Sequence, residues 1–271
     1  MKSLWRTLVL IVILTQMHAV WADVVVAPRA NEAVEGSISN FYPFAIDIDD
    51  PADPLFNANP LTSQRYQQAY DSAVFEGFSG PLAISRISFR PNLESGGAFS
   101  ATLEDIRISL STTPLAMGEL TTTFADNLGG DEQVFVDGPL TLSSSFTGPA
   151  GGPKDFDIHI NLSTPFLYDP SQGNLLMDVR NYAGVEGDPP LAMVFDAEWT
   201  DSDIYRLYTT YPTLDGVDEA EATFLPGAMG LVTQFTFTPM NEAPTVPAPG
   251  AILLGTFGAS LVGWLRRRTS L

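Results

Sequence analysis

The side chains in this sequence that could do chemistry are few in type, and each can be weighed separately. The chain has two histidines, and His159 is the one outside the apolar N-terminal segment. It stands on the polar side of FDIHINLS, between Asp157 and Asn161. No Gly-x-Ser-x-Gly elbow lies nearby, so a Ser-His-Asp relay has no sequence support and a solvated strand histidine is expected. Cysteine is absent, and one histidine cannot make a zinc site. Oxygen ligands are plentiful, which makes calcium the metal to consider. The candidate ligands are Asp47, Asp49, Asp50 and Asp53 in DIDDPAD, with Asp215, Asp218, Glu219 and Glu221 in DGVDEAE as a second set. Neither stretch is an EF-hand: the first has Pro51 where a third ligand should stand and lacks the following glycine. A solvated acidic loop is the ordinary reading of both. Carboxylates are so numerous that a glycosidase pair needs geometry to single it out, and no catalytic residue is nominated.

Aromatic side chains concentrate in EWTDSDIYRLYTTYP. Strand alternation places Tyr205, Leu207, Thr209 and Tyr211 on one face and Ile204, Arg206 and Tyr208 on the other. Trp199, Tyr205 and Tyr211 are therefore candidate glycan-binding residues, with Asp201 and Asp203 as hydrogen-bond acceptors. The competing explanation is ordinary packing, since aromatic residues favour strands in any case.

The elements that must position these residues are strands. In FDIHINLS, Phe156, Ile158, Ile160 and Leu162 alternate with polar residues, as a strand with one wet face requires. The same period of two runs through Ile87 and Phe89, through Ile106, Ile108 and Leu110, and through Val134 and Val136. It returns at Leu175, Met177 and Val179, at Leu191, Met193 and Phe195, and at Leu231, Phe235 and Phe237. Turn clusters such as ESGG, TGPAGGPKD, YDPSQGN and VEGDPP separate these runs. Short strands with turns between them predict an all-β, antiparallel β-sandwich of jelly-roll-like form rather than βαβ units. The Pro- and Asp-rich stretch DDPADPLFNANPLTS reads as a long loop, tucked in by Leu55 and Phe56.

The charge balance narrows the partners. The chain carries 13 basic and 32 acidic residues, for a net charge of −19. Five of the basic ones, Lys2, Arg6 and Arg266 to Arg268, lie in the two end segments, leaving 8 against 32 between them, or −24. Such a surface repels phosphate backbones and anionic headgroups, so no nucleic acid is expected as a partner.

The two ends carry an address. Residues 1–22 have a basic start at Lys2 and Arg6, an apolar run from Leu8 to Leu14, and small residues before a cleavage position at Ala22, the pattern of a secretory signal peptide. At the far end Val246, Pro247, Ala248 and Pro249 precede GAILLGTFGASLVGWL, which as a helix spans about 24 Å, enough for a single C-terminal transmembrane helix. Arg266, Arg267 and Arg268 would set its cytoplasmic end. The expected division is a signal peptide over 1–22, an extracytoplasmic β-sandwich over 23–243 and a sorting segment over 244–271. The latter resembles the PEP-CTERM sorting signal of Gram-negative bacteria, although Ala248 stands where the commonest motif has Glu. The resemblance implies recognition by an exosortase, a membrane transpeptidase, and a link to biofilm or extracellular polysaccharide. The body, with RYQQAYDSAVF, FLYDPSQGNLLMDV and GLVTQFTFTP, is more loosely similar to exported sandwich domains that precede such signals.

Together these readings predict a non-enzymatic protein of the cell surface or extracellular matrix, held transiently in the inner membrane by its C-terminal helix. Its role would be structural or adhesive. A lectin-like carbohydrate-binding module, calcium-dependent or not, and a secreted carbohydrate-active enzyme are the alternatives.

Overall fold

The computed structural model describes residues 22–44, 63–78, 80–183, 192–209 and 216–240. Apart from Ala22, the expected signal segment lies outside them, as do the DIDDPAD loop, the sorting segment and Leu55, Phe56, Leu191, Tyr211 and Asp215. The fold is all-β, and every strand pairing is antiparallel.

Three sheets carry the architecture. The first has four strands in the order β1 (Asp23–Ala27), β13 (Thr233–Pro239), β4 (Leu82–Phe89) and β7 (Ile158–Tyr168). The second has six: β11 (Phe224–Gly227), β10 (Ile204–Tyr208), β3 (Gln64–Tyr70), β8 (Asn174–Asn181), β5 (Phe99–Thr113) and β6 (Gln133–Ser144). The third joins β12 (Met229–Leu231), β9 (Phe195–Trp199) and β2 (Ile38–Asn40). The single α-helix among the described residues is one turn, α1 (Phe124–Asn127), in keeping with a sequence short of helical periodicity. No helix among the described residues is long and apolar enough to cross a membrane.

Alternation explains the core. Ile84, Ile87 and Phe89 from β4, Ile158, Ile160 and Phe166 from β7, and Phe235 and Phe237 from β13 meet Ile106, Ile108, Leu110, Leu175, Met177 and Val179 from the six-stranded sheet, all buried in one cluster. Tyr70 meets Phe235 across the two sheets edge to face, with centroids 4.8 Å apart. Each such aromatic removes about 150–250 Å² from water, so these pairs supply much of the cohesion that disulfides cannot.

One expected pattern is corrected. Val134 and Val136 do not share a face, because the β5–β6 register shifts between Ile108 and Ser109. Val136 pairs with Ile108 and packs on the core, Val134 pairs with Ser109, and the intervening Phe135 turns inward against Phe166 at 6.0 Å. A bulge inserts one residue and so reverses the facing of everything beyond it, which simple alternation cannot foresee.

The turn in YDPSQGN forms as its residues suggest. Asp169 accepts from the Ser171 amide at 3.0 Å and the Ser171 hydroxyl at 2.7 Å. Gly173 has φ +148°, and a Cβ there would lie 2.3 Å from the Thr113 carbonyl oxygen, so only glycine closes this turn.

The six-stranded sheet is covered on its outer side too. Residues from Leu115 to Leu128 fold over it, placing Leu120 and Phe124 on Ala69, Leu176 and Leu207 in a second apolar cluster with Ala222. Beneath this flap Asp178 accepts from Arg65 at 2.6 Å and from Gln67 at 2.9 Å.

Candidate functional site

Strand β9 organises a polar hollow. Phe195 and Ala197 face the core, and alternation turns Asp196 and Glu198 to the opposite side. β2 pairs with this strand, Ile38 opposite Ala197 and Ser39 opposite Asp196. The approach is close: a Cβ on Gly36 would sit 2.1 Å from the Ala197 carbonyl oxygen. Any other residue there would push β2 off its partner.

Asp196 and Arg90 are both fully buried and form an ion pair at 2.7 Å. Asp196 also accepts from the Gly36 amide at 2.9 Å, and Arg90 donates to the Val34 carbonyl at 2.5 Å. The pair thus fixes the loop that leads into β2. Burial pushes the Asp196 carboxyl up to about 7; Arg90 pulls it down, and the neighbouring Glu35 charge adds to the rise. Glu198 shows the opposite outcome. Partial burial raises it, but donors from Ser37, Asn31 and Trp199 outweigh that and hold it below the usual carboxylate range.

A second segment completes the hollow. The Asn92 side-chain oxygen accepts from the Glu94 amide at 3.1 Å, the Ser95 amide at 2.9 Å and the Ser95 hydroxyl at 2.8 Å, winding residues 92–95 into a tight turn. Glu35 joins the two segments, accepting from Asn92 Nδ2 at 3.2 Å and the Leu93 amide at 2.7 Å. Between them lies a cleft of about 630 Å³, lined by Glu35, Ser37, Ser39, Asn92, Glu94 and Ser95, with Gly36, Ile38 and Leu93. Carboxylates, hydroxyls and an amide line it, and among the described residues no basic side chain does. Such a surface can accept hydrogen bonds from a polar molecule. Asp196 lies wholly out of solvent, so it is not placed to exchange a proton with a ligand in the cleft.

The register of β4 and β7 brings Ser88 to His159, with Oγ and Nδ1 3.0 Å apart. Asp157 lies two residues away and accepts from the Ser145 amide. Partial burial and Arg86 both lower the His159 pKa, and Asp157 raises it. The arrangement falls short of a nucleophile site. Ser88 is fully buried in a strand hydrogen-bonded on both sides, so its backbone is committed to the ladder and no strand-to-helix elbow presents it.

The aromatic candidates are dispersed. Trp199 is half exposed at the end of β9, on the face of Phe195 and Ala197. Tyr205 lies on the outer side of the six-stranded sheet, packed against the cluster beneath the 115–128 flap. Tyr211 lies outside the described residues. The structure thus places Trp199 and Tyr205 on different sheets. Asp47, Asp49, Asp50, Asp53 and Asp215 also fall outside the described residues, whereas Asp218, Glu219 and Glu221 are exposed. Among the described residues no three His, Cys, Asp or Glu side chains are grouped to hold a metal ion. Sequence reading missed Glu35, Ser39 and Asn92; the available signal was the turn cluster ESGG, which marks one wall of the cleft without revealing what faces it.

Architecture therefore defines the class: an all-β antiparallel protein of sandwich-like form with an acidic polar cleft. No protein-family model, curated protein or solved structure matches the chain.

Proposed function

We propose that this chain is an exported, non-enzymatic protein of the cell surface or extracellular matrix, delivered by an exosortase-type system. Its role is structural or adhesive and linked to extracellular polysaccharide. The observation that carries the reading is the pairing of a secretory-type N-terminus with the C-terminal order of Pro247 and Pro249, apolar run and Arg266 to Arg268. An acidic antiparallel body between those ends supports it, because excess negative charge keeps a domain soluble and apart outside the cell. The crossing of the chain between sheets, from β3 to β4, back at β5, over to β7 and back at β8, supports a jelly-roll-like sandwich for that body.

Fractionation of cells expressing the full chain tests the proposal. The expected product begins at Asp23, lies outside the inner membrane and lacks the sorting segment. Replacing Pro247 to Pro249 with Gly-Ser-Gly in the same cells is expected to strand the chain at the inner membrane. An intact polypeptide dissolved in the cytosol, uncut at either end, would defeat the reading.

A further inference from the structure

We infer that the cleft between residues 35–39 and 92–95 binds a neutral, hydroxyl-rich ligand of saccharide type, held through Ser39, Glu94 and Ser95. This deepens the polysaccharide link and rests on it, but surface delivery and sugar binding are measured separately and fail separately.

The volume is the first argument. About 630 Å³ falls within the roughly 300–1,000 Å³ of small-molecule sites, enough for one or two sugar rings. The lining is the second. With Glu35 and Glu94 present and no Lys, Arg or His among the described lining residues, the cleft repels phosphates, sulfates and uronates and offers them no charged donor. It offers acceptors, which suit a ligand that brings its own O–H groups. Leu93, half-buried in the second wall, supplies the small apolar area on which the C–H face of a sugar ring rests.

The hydrogen-bond inventory is the third. Several lining groups are already engaged: Asn92 by Glu35 and its own turn, Glu35 Oε1 by Asn92 and Leu93, and Ser37 by Glu198. Ser39 Oγ and the Glu94 carboxylate have no hydrogen-bond partner among the described residues, and both residues are exposed. The remaining capacity is therefore two sites in opposite walls, with Ser95 beside one of them. Glu35 Oε2 is also unpartnered, although it is out of solvent contact. The fourth argument is preorganisation. Val34 and Gly36 are pinned by the Arg90–Asp196 pair and residues 92–95 by Asn92, so a ligand would order little protein on binding.

Calorimetric titration of the purified full chain in detergent tests this with named probes: maltohexaose, cellohexaose and mannohexaose, against hexagalacturonate and spermidine. The expected result is binding of at least one neutral hexasaccharide at about 1 mM or tighter, unaffected by EDTA. Glu94→Ala and Ser39→Trp each weaken it by about tenfold or more. Both positions are exposed, so the variants are expected to fold, which a thermal melt checks; where one does not, the other decides. Four results would overturn the inference: no neutral hexasaccharide bound below about 10 mM, preference for hexagalacturonate or spermidine, loss of sugar binding in EDTA, or sugar binding unchanged in both variants.

Discussion

Two buried aspartate–arginine pairs sit on different sheets and are built to different standards. Under the 115–128 flap, Asp178 receives Arg65 through Nε and Nη2, Gln67 through Nε2, and Arg180 at 3.5 Å, while Phe124 lies 4.6 Å over the Arg65 guanidinium. Behind the cleft, Asp196 receives Arg90 and one backbone amide, with the Glu35 charge nearby as an opponent. Asp178 receives donors from three residues, Arg65, Gln67 and Arg180; Asp196 is held by two, Arg90 and Gly36, and pushed by one acid. The difference teaches that burial alone does not define such a pair. The number of donors around the carboxylate decides how fully the loss of water is compensated.

The largest expected effect comes from breaking the better-satisfied pair. Asp178→Ala leaves Arg65 buried without its acid and is expected to cost about 3–5 kcal/mol in urea unfolding. A loss under about 1 kcal/mol would mean that the network is not a unit of stability. Arg206 is the limiting case of the comparison, a buried guanidinium with no carboxylate partner among the described residues. Its Nη2 meets the Met229 sulfur at 2.9 Å, its carbon lies 5.0 Å from the Tyr208 ring, and Nε and Nη1 have no partner among the described residues. Arg206→Met is expected to raise stability by about 1–2 kcal/mol, since it removes an uncompensated charge from an apolar site. Marked destabilisation would show that the ring and sulfur contacts outweigh the desolvation.

The weaker pair makes a prediction in pH. The folded Asp196 carboxyl is raised to about 7, above the roughly 3.9 of an unfolded chain. The folded state therefore binds the extra proton, and this group's contribution is full below about pH 4 and lost as pH rises through about 7. Urea midpoints at pH 5 and pH 7 are expected to differ less in Asp196→Asn than in the parent chain. An equal difference in both would remove Asp196 from the account. The smallest effect serves as the baseline: Trp199→Ala, at a half-exposed strand end, is expected to change stability by about 0.5 kcal/mol or less.

Much of the fold was legible because a strand's side-chain period is two. Ile158, Ile160 and Leu162 were readable as one face of β7, and Ile106, Ile108 and Leu110 as one face of β5, and both sets are buried together. Legibility ended where a bulge reset the period, as at Phe135, and where polar residues turned inward. Nothing in QRYQQAY announces that Gln68 lies fully buried, exchanging hydrogen bonds with Leu231 through both ends of its amide. The candidate site was less legible than the fold. Its walls lie more than fifty residues apart, and Glu35 finds Asn92 only once β2 has paired with β9.

By itself, the sequence determined the strand-rich class, the absence of disulfides and the acid excess, because period, cysteine count and charge are properties of residues in order. Only the tertiary structure decided which acids meet arginines, which residues line the cleft, and that Trp199 and Tyr205 lie on separate sheets. The reason is that strand pairing and register are chosen by the summed burial of whole sheets, and no short stretch contains that sum.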